Sequence, residues 1–194
     1  AEDKEIMVYV HGTKVDFLNS VAMTAEIDHF TGRDFVGVAF SWPSHQNILY
    51  YLFGVDVTRA RDSSQALRAL LEFLAEHTTA KQINLLSYSA GGRVASKALH
   101  ELRTSYNSLD QDAVKQKFRL GSVIFAAADV PLRTFQERLP SVSALAQQVV
   151  VTVSGHDPAL LAAEKYMDGG VRIGEESALT EELAVVESLG VENF

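Results

Sequence analysis

Ser87-Tyr88-Ser89-Ala90-Gly91 sets a serine between two small residues, after an apolar run and ahead of a helical pattern. A serine hydroxyl attacks an acyl carbonyl when a base removes its proton and nearby N–H groups hold the oxyanion that develops. A tight strand-to-helix turn exposes such a serine. It demands small residues two before and two after, because strand and helix approach closely there. Gly91 meets that demand and Ser87 approximates it. Ser89 is therefore the candidate nucleophile, with Tyr88 beside it as a candidate substrate contact. The pentapeptide alone also describes a serine-rich helix cap, so the surrounding elements must decide.

Two further loops carry groups of the right kind. His11-Gly12-Thr13 follows the first apolar run, where backbone N–H groups commonly supply one oxyanion donor, the other being the residue after the nucleophile. The donors here would be Thr13 and Ala90, and His11 is read as a structural loop residue. Ser154-Gly155-His156-Asp157-Pro158 follows the fifth apolar run. Asp157 is the candidate acid that holds a histidine in its working tautomer; Asp before Pro also reads as a helix cap. Asp129 is a second candidate acid with the same alternative.

The elements that must position these residues are legible as periodicity. Apolar runs at Ile6–Val10, Phe35–Phe40, Ile83–Leu86, Ser122–Phe125 and Val149–Val153 read as buried strands. Leu67, Leu70, Leu71 and Leu74 repeat at helical spacing over Ala66–His77, behind the polar start Asp62-Ser63-Ser64-Gln65. Further helical stretches are 15–29, 92–106, 133–147, 158–167 and 178–189. Strands alternating with helices imply a mostly parallel sheet covered on both faces, with chemistry in the loops at the strands' carboxyl ends. No repeat or linker divides the chain, so residues 1–194 read as one domain.

Composition narrows the function classes. The chain has 194 residues, 47% of them hydrophobic, enough for a well-buried core. Its formal charge of -8 argues against nucleic acid as a partner. Without cysteine there is no disulfide, thiolate nucleophile or Cys-based metal site, and the compartment stays open between cytoplasm and cell envelope. No apolar run approaches the roughly 18 residues of a membrane span. No metal or organic cofactor is expected.

The combination of VYVHGT at 8–13, FSWPS at 40–44, LLSYSAGGRV at 85–94 and VSGHDPAL at 153–160 resembles the uncharacterised bacterial α/β-hydrolases of the domain-of-unknown-function 900 group. The resemblance runs from Ile6 to about Glu175. It implies an α/β-hydrolase fold in the esterase and lipase superfamily, Ser89 as nucleophile, Asp157 as the matching acid and a small ester as substrate. Where that family more often has His and Met beside the nucleophile, this chain has Tyr88 and Ala90. Pro131 replaces the second acid of an Asp-hydrophobic-Asp pattern in which Asp129 matches.

The general base of this fold follows the acid, yet no histidine occurs after His156. His156 adjoins Asp157 and is poorly placed to be oriented by it. His45, after the second strand, is a replacement candidate; His29, His77 and His100 fall on helices or their ends. Residues 191–194 read as the start of an unfinished last strand, which places the expected base beyond Phe194 and leaves this polypeptide nearly inactive by itself. The alternative function is a hydrolase-like binding or scaffold module without catalysis.

Overall fold

The computed structural model describes residues 4–153, 167, 170–175 and 191–193. Six strands form one parallel sheet: β1 (Glu5–Val10), β2 (Phe35–Phe40), β3 (Ile83–Tyr88), β4 (Leu120–Ala126), β5 (Ala146–Thr152) and β6 (Val191–Asn193), in the order β2-β1-β3-β4-β5-β6. The strand expected to begin at Val191 is thus present as β6, three residues long and paired with β5. Helices α1 (Phe17–Phe30), α2 (Ile48–Leu52), α3 (Val55–His77), α4 (Gly91–Ser105), α5 (Gln111–Phe118) and α6 (Leu132–Leu145) connect the strands.

The near-continuous apolar runs of β1 and β3 follow from burial on both faces. Ile6 to Val10 are all buried, as are Ile83 and Leu85. Helix α4 packs between α3 and α6. Its Val94, Ala95, Ala98, Leu99 and Leu102 are fully buried, and Leu67 and Leu71 of α3 meet the same core. The spacing of these residues is the helical period read from the sequence.

Four features differ from expectation. Helix α3 begins eleven residues before Ala66, after Gly54, whose φ of 79° turns the chain into it. The supposed polar start lies inside the helix because Ser64 is buried with its hydroxyl donated to the Arg61 carbonyl and to Glu101. Helix α5, not expected, is capped by Asp110, which accepts from the Ala113 N–H, and anchored by buried Val114 and Phe118. Strand β5 begins at Ala146, so the helix expected through Gln147 stops at Leu145. Strand β2 is an edge strand with Val36 47% exposed, not a buried one, because among the described residues only β1 pairs with it. The helical stretches expected at 158–167 and 178–189 fall almost wholly outside the described residues.

Candidate active site

Ser89 stands between β3 and α4 with φ 51°, a left-handed conformation that a residue with a Cβ rarely adopts. Such backbone costs on the order of 1 kcal/mol and persists only where neighbours hold it. Here the Ser89 N–H donates to the Ala126 carbonyl at 3.0 Å, while its carbonyl accepts from Asp129 N at 3.2 Å and Gly92 N at 3.0 Å. A Cβ at Gly91 would lie 2.4 Å from the Val10 carbonyl oxygen and 2.6 Å from that of His11. The close approach of β1 thus imposes the glycine. Ser87 is tolerated at the other small position because its buried hydroxyl donates to the Ile124 carbonyl at 3.1 Å.

The loop after β1 lies directly opposite the serine, for a Cβ on Gly12 would be 3.0 Å from Ser89 Cβ and 3.2 Å from the Tyr88 ring. Among the described residues, the backbone N–H groups of neither Thr13 nor Ala90 have an acceptor. Ala90 is fully buried at the start of α4, and buried N–H groups normally find partners. Two uncommitted donors therefore flank the serine, one at a helix start where the dipole favours negative charge.

A network of side chains holds that loop to the loop after β2. His11 is fully buried; its Nε2 accepts from Trp42 N at 3.0 Å, which leaves the proton on Nδ1, 2.7 Å from the Gly12 carbonyl. Burial holds its pKa below the usual value, partly opposed by the contacts with the Gly12 and Trp42 backbone and by Asp16. With both nitrogens occupied, His11 has the structural role expected of it. Trp42 stacks on the imidazole and donates from Nε1 to the His11 carbonyl at 2.6 Å. Ser44 Oγ donates to the Val15 carbonyl at 2.9 Å.

Asp56, at the start of α3, completes the network and escaped the sequence reading. Its fully buried carboxylate accepts from Thr13 Oγ1 at 3.3 Å and His45 N at 2.9 Å, and faces His45 Nδ1 at 3.2 Å and Arg59 at 3.6 Å. The one available signal was an acid in a helix first turn, which dipole compensation explains equally well. His45 also stacks on Tyr50, centroids 3.9 Å apart. Neither His45 nor any other described histidine hydrogen-bonds to Ser89.

Of the two candidate acids, Asp157 lies outside the described residues, as does His156. Asp129 is buried and committed elsewhere: Arg172 Nε stands 2.8 Å from Oδ1, Arg93 reaches both oxygens at 3.3 Å, and the Tyr51 hydroxyl donates to Oδ2. Burial pushes its pKa up to about 6, with Arg172 opposing and Glu175 adding to the rise. Its backbone serves the elbow and its side chain ties α2, α4 and the 170–175 segment together. Tyr88 is 46% exposed beside the serine, and Leu49, Tyr50 and Phe53 of the neighbouring α2 region are exposed as well.

Residues 1–188 match the family described as "Alpha/beta hydrolase of unknown function (DUF900)". The chain belongs to that family. No curated protein matches it. Among solved structures, this DUF900 chain is similar to Esterase B from Lactobacillus rhamnosis, crystallised with a tributyrin phosphonate inhibitor, with TM-score 0.57 and 12% identity. The match covers 100% of this chain and 64% of that one, so the chain spans under two thirds of the esterase's length. A lipase-esterase related protein from Clostridium acetobutylicum matches at TM-score 0.38 and 10% identity, over 95% of this chain and 93% of the other. The likeness to Esterase B shows the fold, an α/β-hydrolase sheet with helices. No helix among the described residues is long and apolar enough to cross a membrane.

Proposed function

We propose that the chain is a carboxylic-ester hydrolase working through an acyl-enzyme at Ser89. The observation that carries this reading is the serine's left-handed backbone, held from three sides, with the uncommitted N–H groups of Thr13 and Ala90 on either flank. Ser89 Oγ attacks the ester carbonyl carbon as a histidine base oriented by Asp157 takes its proton. The carbonyl oxygen becomes an oxyanion and accepts from Thr13 and Ala90. Collapse expels the alcohol, which recovers the proton, and water then repeats the attack to release the acid.

Exposed Leu49, Tyr50, Phe53 and Tyr88 give the surroundings an apolar character suited to an acyl chain. The phosphonate named with Esterase B makes a short-chain glyceride such as tributyrin a reasonable probe. Full-length protein treated with a fluorophosphonate should label, and Ser89→Ala should not. Labelling that survives in Ser89→Ala removes the serine from the mechanism; labelling absent from both favours a non-catalytic hydrolase-like module.

A further inference from the structure

A second concave feature lies between α3, α4 and α6, apart from the serine. It is a cavity of about 150 Å³ whose wall includes Arg61, Arg93, Lys97, Arg138, Thr134 and Val130. Among the described residues, four cations from three helices line it and no carboxylate does, in a chain whose formal charge is -8. Such a concentration is the reverse of what composition supplies by default.

Three neighbouring acids already face cations. Asp129 is shared by Arg93 and Arg172, with Glu175 close by. Glu101 pairs with Lys97 and accepts from Ser64. Asp62 is 3.9 Å from Arg61, both side chains more than half exposed, which makes a weak pair. Arg138 has no described carboxylate within 4 Å; its Nη1 donates to Ser96 Oγ at 2.9 Å. Burial and then the charge of Arg93 hold the Arg138 pKa down, against the pull of Glu101 and Glu137. Arg93 and Arg138 line the same cavity from neighbouring helices beside Val130 and Pro131, where charge interactions are stronger than in bulk water.

We propose that this cavity is a binding site for a small oxyanion, either inorganic phosphate or the phosphate of a monoester. Guanidinium forks match the geometry of phosphate oxygens, and charge-assisted bonds to them are the strong ones. An anion seated in the cavity is attracted by the positive charges of Arg61, Arg93, Lys97 and Arg138 together, and Thr134 adds a hydroxyl donor. Val130 connects the site to the elbow, since a Cβ on Gly92 would meet its Cγ2 at 3.1 Å. The assignment is independent of ester hydrolysis.

Calorimetric titration with inorganic phosphate and with phenyl phosphate, at constant ionic strength made up with chloride, tests it. Saturable binding of at least one is expected, and tighter binding of phenyl phosphate identifies a monoester site. Arg138→Met and Arg61→Met should each weaken binding about tenfold, the loss of one charge-assisted contact; Arg33→Met, on the turn after α1, should leave it unchanged. Arg61 is largely exposed, so that variant keeps the test intact should Arg138→Met fail to fold. The proposal is overturned if neither anion saturates, or if binding is undiminished in the folded cavity variants.

Discussion

Gly91 illustrates how one missing Cβ fixes a site. An added methyl would meet two carbonyl oxygens of β1 at 2.4 and 2.6 Å, and backbone cannot step aside as a side chain can. Gly91→Ala should lose about 2 kcal/mol, in the range of overpacking changes, measurable by urea unfolding. Asp129 makes a prediction with a sign. Its folded pKa of about 6 lies above the ordinary aspartate value of 3.8, so between those values the folded chain holds a proton that the unfolded chain releases. Its contribution to stability is present below about pH 4 and is lost as pH rises through about 6. The stability of wild type relative to Asp129→Asn should fall across that window by at most about 1.4 kcal/mol per pH unit; a difference that stays flat or rises contradicts the assignment. The strand-turn-helix geometry around Ser89, Ala90 and Gly91 was legible because its three parts are contiguous in sequence. The commitment of Asp129 was not, since Arg172 comes 43 positions later and nothing local announces it.

At the scale of elements, the loops after β1 and β2 behave as a single unit cross-tied by Asp56. Removing that carboxylate strips acceptors from Thr13 and His45 and leaves Arg59 without its close acid. Asp56→Ala should cost about 2 kcal/mol, the penalty of leaving polar partners unsatisfied. If Thr13 N–H is an oxyanion donor, kcat for a p-nitrophenyl ester should fall at least about tenfold while KM changes little. Asp56→Asn, which keeps an acceptor oxygen, should recover much of both losses. An equal fall in both variants assigns the effect to charge instead of loop position. The sequence concealed this tie because Ser63 and Ser64 suggested a helix start well after Asp56. Burial of Ser64 against α4, a tertiary fact, decides that α3 runs straight through. Helix α5 was missed for a related reason: two apolar anchors in eight residues make a weak periodic signal, and Asp110 does the rest.

At the scale of the whole molecule, the sheet order places β2 at an edge of the sheet. Among the described residues strand β2 has no partner along its outer edge, Val36 is 47% exposed, and on adjacent α1 Phe17 and Leu18 are 65% and 76% exposed. Charge repulsion opposes edge-to-edge association, and it vanishes near the pI of about 5.2. Light scattering should therefore rise as pH approaches about 5, and Val36→Lys should reduce it at that pH; a variant that scatters as wild type does places the association elsewhere. The parallel sheet itself was legible from alternating elements, whereas the exposed edge was not, because β2 reads as apolar as the strands buried at the centre. Trp42 is the protein's single tryptophan, seated face to face with His11 at the base of the loop that carries Thr13. Indole emission is therefore a built-in optical gauge of that loop: any rearrangement around the serine's neighbour should change the colour or intensity of the light before the rest of the fold has moved.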